Sequence, residues 1–277
     1  MDLSKLTYSK DVSGKEEIAP VESPIISPEK VEEPLPLVEQ IKGYSKEEGE
    51  RTPALFFIIS GGEERERNYI SAIEKKNEFQ RIRMIFISSP KGEGGLKPKA
   101  MMEKLIDANR KGTFEIDAQS YNWEEYDKVY LVSDVDEFAE DLKELLCTPP
   151  DISKTYHWAI SNPCFEIWLY YSYFSELNAE VLSLEQITVN KRSCTLKTLN
   201  GESKAGGIDP RKAFEEMPTA SANSKIHYAE DEFGIPVLFA TQMHFLADDV
   251  LSTLGTEYEE WKAKKLALID RFKKEIN

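Results

Sequence analysis

Two aspartates one residue apart, Asp134 and Asp136, follow directly on the apolar run KVYLVS at 128–133. If strand geometry persists past that run, alternate side chains point the same way and both carboxylates address one point in space. Two carboxylates held that close repel unless something positive lies between them. A hard cation that prefers oxygen ligands, Mg²⁺ or Mn²⁺, is the natural occupant. In the competing reading, one aspartate caps a helix beginning near Glu137 while the other is solvated. A second acidic group, Glu63, Glu64 and Glu66, follows the run ALFFIIS and the pair Gly61-Gly62. Acids there complement a helix dipole, or one of them completes the metal site. A third acid, Glu166, stands one helical turn after Asn162, and in the first turn of an otherwise apolar helix it needs a partner if buried.

Other chemistries have little to work with. Cys147, Cys164 and Cys194 are widely spaced and in no CxxC arrangement, so neither a disulfide framework nor a zinc site is indicated. His157, His227 and His244 share no ligand-like spacing and adjoin no nucleophile motif. The formal net charge of −15 argues against a stand-alone, high-affinity nucleic-acid binder, which usually carries a basic footprint. Two local basic clusters are nonetheless present. One comprises Lys91, Lys97, Lys99 and Lys104 with Arg110 and Lys111; the other comprises Lys191, Arg192, Lys197, Lys204, Arg211 and Lys212. Either could hold phosphates, with Lys91, Lys97, Lys99 and Lys204 the chosen candidates. Solvated surface lysines are the plainer reading of each.

The elements that must position these groups are apolar runs alternating with helical segments. ALFFIIS (54–60), RMIFISS (83–89), KVYLVS (128–133) and HWAIS (157–161) read as buried strands. Helices are expected from the first turn to about Asn77 with Tyr69, Ile70 and Ile73 inward, and over KAMMEKLIDANR, DEFAEDLKELL and CFEIWLYYSYF. This alternation predicts an α/β fold, a mainly parallel sheet flanked by helices, with ligands gathering outside the carboxyl ends of the strands. Ser60-Gly61-Gly62, Asp134-Val135-Asp136 and Ser161-Asn162-Pro163 all fall at that edge.

Residues 1–52, with prolines among Glu-rich stretches, are expected to be a disordered acidic tail. Residues 53–178 form the expected core, and 179–277 an insertion and a mainly helical C-terminal part packed on it. VNKRSCTLKTLNGESKAGGIDPRK (189–212) reads as a loop or hairpin, with helices near 210–231 and 241–254. In the last segment Tyr258, Trp261, Ile269 and Phe272 share one helical stripe, which packs on the domain or makes a homo-oligomer contact. No apolar run approaches the roughly 18–20 residues of a membrane span, and no secretory h-region opens the chain. A cytosolic protein with no membrane partner is expected.

SGGEERERNYI, VSDVDEF and AISNPCFEIWLYYSYF, each after a strand, resemble in type and order the RloB-like proteins, a branch of the TOPRIM (topoisomerase–primase) fold associated with bacterial restriction and phage defence. The resemblance is strongest over residues 54–175, and SNPxFExW is its most specific piece. It implies a TOPRIM-like fold and an Mg²⁺- or Mn²⁺-dependent nuclease cleaving DNA or RNA, working with an ATPase of the RloA kind. Asp134 and Asp136 match the metal-binding aspartates, and Glu66 the last acid of the family's CEGxxTE-like motif. The leading glutamate of that motif falls on Gly61, its threonine on Arg65, and a histidine often found after SNPxFExW on Ser172. Two readings follow: Glu63 or Glu64 substitutes and the site cleaves with Glu63, Glu66, Asp134 and Asp136, supported by Asn162 and Glu166; or the chain is a catalytically silent interaction subunit.

Overall fold

Four apolar strands lie side by side, all parallel, and place their polar carboxyl ends along one rim. The computed structural model describes residues 53–276 other than 63, 77, 78, 90–93 and 117. The expected tail over 1–52, Glu63 and Lys91 therefore lie outside the described residues. In chain order the first elements are β1 (Ala54–Ser60), α1 (Arg65–Glu74), β2 (Ile82–Ile87) and α2 (Pro98–Lys111). They are followed by β3 (Thr113–Ile116), β4 (Gln119–Asn122), β5 (Lys128–Asp134), α3 (Ala139–Cys147), β6 (His157–Ser161) and α4 (Glu166–Tyr171). The sheet order is β2-β1-β5-β6. Phe57 sits in register with Ile85 on one side and Val129 on the other, and Asp134 faces Ser161 across β5 and β6. The chain steps from β1 to β2 in one direction and then crosses to β5 on the other side. The switch point, where ligands of such sheets gather, thus lies between the carboxyl ends of β1 and β5.

Alternation along each strand divides the apolar side chains between two cores. Phe56, Ile58, Tyr130 and Val132 pack under α1 and the C-terminal helices; Phe57, Ile59, Val129 and Leu131 pack against α2 and the β3–β4 hairpin. That hairpin was not foreseen: its strands are four residues each, too short for an alternation to register. Phe114 anchors it, stacked on Phe57 with ring centroids 4.2 Å apart. Asp127, buried at the start of β5, accepts the N–H groups of Leu55 and Glu124 at 3.0 and 2.8 Å and aligns the lower ends of β1 and β5.

The C-terminal part adds α5 (Ala179–Leu182), α6 (Val189–Glu202), α7 (Pro210–Ala213), α8 (Met217–Ile226), α9 (Met243–Leu254) and α10 (Thr256–Ile276). Before α9, residues 239–242 lie along the outer edge of β6: Phe239 donates to the Asn162 carbonyl at 2.8 Å and Gln242 to that of Ile160 at 2.8 Å. This strap pairs an edge that would otherwise stay open. Among the described residues no helix is long and apolar enough to cross a membrane.

Three expectations require correction. The helix expected from Asp136 begins at Ala139, because 135–138 form a turn. CFEIWLYYSYF is helical only over Glu166–Tyr171. The expected loop at 189–212 begins as the 14-residue helix α6. Its inward positions Ser193, Leu196 and Asn200 step by three and four, but two of them are polar, so no amphipathic stripe was visible in the sequence. Leu196 holds α6 against Cys164, Ile167 and Tyr171, and the Asn200 amide donates to the Glu166 carbonyl at 2.8 Å. Leu196→Ala is therefore expected to cost about 2–5 kcal/mol in urea unfolding; a change below about 1 kcal/mol would show that α6 is not anchored there.

Candidate functional site

The crevice at the β1–β5 switch point has a volume of about 510 Å³ and is lined by the β1–α1 turn, the end of β5, and side chains from α1, α4 and α6. Four acids line it: Glu64, which is exposed, and Asp134, Glu66 and Glu166, which lie deeper. Asp134 ends β5, and its Oδ1 accepts the Phe165 N–H at 2.8 Å. Glu66 lies in the first turn of α1, its carboxylate folded so closely over Gly62 that a Cβ there would fall 1.8 Å from Oε2. Glu166 opens α4 and is 2% exposed. Its partner is Arg65, whose Nε stands 3.3 Å from Oε1. Lys197 of α6 lines the same space.

The electrostatics follow from crowding like charges in a place with little water. Burial, then the charge of Glu166, push the Glu66 carboxyl up to about 7, against the opposing pull of its own backbone N–H, Lys197 and Arg65. Burial, then Glu66 and Glu166, hold Asp134 well above the usual carboxylate range, while Lys197 and the Phe165 N–H pull it down. For Lys197, burial favours the neutral amine but is outweighed by Glu166, Cys164, Asp134 and Glu66, so the ammonium is held more firmly than usual. Cys164 is fully buried and its thiol is pushed up by desolvation, which leaves it inert.

The other sequence candidates fall elsewhere. Asp136 sits in the turn after β5; its N–H donates to the Pro163 carbonyl at 3.2 Å, and its buried Oδ1 has no hydrogen-bond partner. The strand ends before it, so the alternation that would aim it beside Asp134 does not extend that far. The Asn162 amide donates to the Pro236 carbonyl at 2.8 Å and secures the strap rather than the crevice. Ser172 is buried, with its hydroxyl turned back to the Trp168 carbonyl at 3.5 Å. Lys99 is occupied by Asp141 and Glu144 of α3, at 3.3 and 2.7 Å. Lys97 is exposed at the start of α2, and Lys204 lies 3.7 Å from the Tyr173 ring centre. The basic groups that do reach the crevice are Arg65 and Lys197. Arg65 lies outside both basic clusters of the sequence, and Lys197 is one of six residues in the second. No sequence signal singled them out, because both are placed by helices that contact the strand ends only in the folded chain.

Gly61 bears on the altered first motif. A Cβ at Gly61 would approach the Leu96 carbonyl oxygen to 2.9 Å, and one at Gly95 would lie 1.6 Å from the Gly61 oxygen. The 94–96 segment thus rests directly on the turn where the leading glutamate of the motif would project.

Among the described residues no group of three Asp, Glu, His or Cys side chains is arranged to ligate a single ion. The donor chemistry nevertheless fits a hard cation: Asp134 and Glu66 are oxygen donors destabilised as anions by burial and by neighbouring carboxylates, Glu166 for Glu66 and both glutamates for Asp134, and a divalent charge would relieve both.

A parallel α/β protein with an acidic crevice at its switch point is the class defined by this arrangement. The family model for RloB-like proteins matches residues 56–247, and the chain belongs to that family. Comparisons with curated proteins and with solved structures give no match.

The Glu66 shift has a consequence for stability. A carboxyl whose folded pKa lies above its unfolded value lets the native state hold the proton longer, so native stability falls as pH rises from about 4.5 to about 7. In EDTA, Glu66→Gln should melt close to the parent protein at pH 5 and be more stable at pH 8 by on the order of 2 kcal/mol. Equal melting at pH 8 would mean that Glu66 is not crowded as described.

Proposed function

We propose that this protein is a divalent-metal-dependent nuclease of the TOPRIM type, cleaving phosphodiester bonds of DNA or RNA in anti-phage defence alongside an ATPase partner of the RloA kind. The observation that carries this reading is the convergence of Glu66, Asp134 and Glu166 with Lys197 in one crevice at the strand ends. The defence role and the ATPase rest on membership of the RloB-like family. Asp134 and Glu66 would hold the Mg²⁺ or Mn²⁺, with Asp136 brought in only by movement of the 135–138 turn. A bound cation supplies polarisation of a phosphate oxygen and a more acidic water.

The chain's own residues have separable tasks. Lys197 places a firmly held positive charge where a phosphate would enter. Glu66, held protonated up to about 7 by burial and by Glu166 in the metal-free site, would give up that proton as a cation binds, which makes occupancy of the site pH-dependent. Arg65 holds Glu166 in place through its ion pair, and the Phe165 N–H fixes the orientation of Asp134. Mg²⁺- or Mn²⁺-dependent cleavage of DNA or RNA is expected from the wild-type chain with its partner, with Asp134→Ala and Glu66→Gln each losing roughly a hundredfold or more in kcat. Undiminished cleavage by Asp134→Ala would overturn the assignment.

A second reading is favoured by one observation, the 94–96 segment seated on Gly61 where the family's leading glutamate stands. On that reading the chain keeps the fold as a non-catalytic interaction subunit. Calorimetry separates the two: Mn²⁺ binding that disappears in Asp134→Ala supports the nuclease, and absence of heat with the intact chain supports the silent subunit.

A further inference from the structure

The stripe expected along α10 packs on the body at Tyr258 and Trp261 and leaves Ile269 and Phe272 exposed. The cations of the crevice are unsatisfied in another way, one that names a ligand. Lysines close to acids are elsewhere ion-paired: Lys99 with Glu144, Lys128 with Asp249 and Lys225 with Asp248. Lys197 feels the charges of Glu166, Asp134 and Glu66, yet it makes no salt bridge or hydrogen bond among the described residues. Arg65 has one partner there, Glu166, and the closest approach is through Nε at 3.3 Å. A guanidinium presents five donors in a planar fork, so side-on pairing through Nε leaves the Nη1–Nη2 edge for a second anion. Both side chains line the same crevice of about 510 Å³, one from the start of α1 and the other from α6. Charged donors left open in one concave site mark a place for an anion.

The deep charges select the anion. With Asp134, Glu66 and Glu166 ionised around one divalent cation, Arg65 and Lys197 bring the floor of the crevice to a single positive charge, the complement of one phosphodiester. Without these two side chains the same loaded site would be net negative and would turn a phosphate away. Glu64 stands at the exposed rim, where water and salt screen it. The two cations therefore work against the metal and for the substrate. Each opposes a divalent ion at the acids and attracts the phosphate that must lie beside it. We propose that Arg65 and Lys197 form a two-point clamp for one substrate phosphodiester, with Arg65 holding Glu166 through Nε and the phosphate through its Nη nitrogens at the same time. The clamp deepens the proposed function and rests on its placement of the substrate in this crevice. It makes the grip on phosphate a property of the chain, separable from the grip on the cation.

The test uses the full-length chain in Ca²⁺ and two fluorescent single-stranded DNA oligonucleotides of one sequence, followed by anisotropy. One has the ordinary phosphodiester backbone and the other an uncharged methylphosphonate backbone; Mn²⁺ binding is measured alongside by calorimetry. The phosphodiester form should bind about tenfold or more tightly than the neutral form. Lys197→Gln and Arg65→Gln should each weaken the phosphodiester form about tenfold and leave the neutral form unchanged. Both variants should bind Mn²⁺ at least as tightly as the parent, because a competing positive charge is gone. Arg65→Gln strands Glu166 in a buried place, so Arg65→Gln combined with Glu166→Gln is the variant that keeps the parent melting temperature, and it should show the same weakened binding. Glu166→Gln alone should bind the phosphodiester form at least as tightly as the parent. If Arg65 served only to position Glu166, Glu166→Gln would weaken binding as much as Arg65→Gln does, and the proposal would fail. Equal binding of the two backbones, phosphodiester binding untouched by the Lys197 and Arg65 substitutions, or loss of the parent's Mn²⁺ binding in Lys197→Gln would overturn it equally. Oligonucleotide binding that needs Arg65 and Lys197, with no Mn²⁺ heat from the intact chain, would support the clamp and overturn only the nuclease reading.

Discussion

Mutual repulsion of carboxylates in a crevice short of water is the constraint around which this protein is arranged. Glu66, Asp134 and Glu166 come from separate segments; Glu166 raises the proton affinity of Glu66, and Glu66 and Glu166 together raise that of Asp134. Such a cluster persists only because the surrounding structure forces it. The apolar sheet beneath, with Phe56 to Ile59 fully buried, supplies the stabilisation that offsets the crowding. The cations of Arg65 and Lys197 relieve part of the remainder. A site that stores unfavourable charge in this way is poised for a proton or a divalent ion, which is why perturbed carboxyls so often mark function.

The supports of the crevice are distributed through the chain. β1 and β5 bring their ends together because Phe57 and Ile59 pair in register with Val129 and Leu131. α4 turns Glu166 inward and meets Arg65 from the start of α1. α6 carries Lys197 and is fastened to α4 by Leu196 and Asn200. A loosening of any one element would alter the charge balance at Asp134, so the chemistry and the stability of this half of the molecule are coupled.

The Gly61–Gly95 contact gives the altered first motif a structural setting. With 94–96 seated on the β1–α1 turn, a side chain at 61 has no room unless that segment moves. Glycine at 61 and close packing of the 94–96 segment are thus two aspects of one local arrangement. Glu66, five residues on, is left as the described acid from this turn that reaches Asp134.

The sequence by itself determined the sheet, because the runs at 54–60, 83–89, 128–133 and 157–161 are too apolar and too short for anything but buried strands. It also placed the polar breaks at the carboxyl rim, and it marked Glu166 as an acid needing a partner. Local pattern carries that much because burial alternation is a property of neighbouring residues. The tertiary structure alone decided which acids meet. β5 ends at Asp134, so Asp136 turns toward the Pro163 carbonyl instead of continuing the alternation. Arg65 and Lys197 become the crevice's cations only through packing of α1, α4 and α6. The helix at 189–202, with two polar residues on its inward stripe, is specified by what it packs against, and no periodicity within it could have announced that.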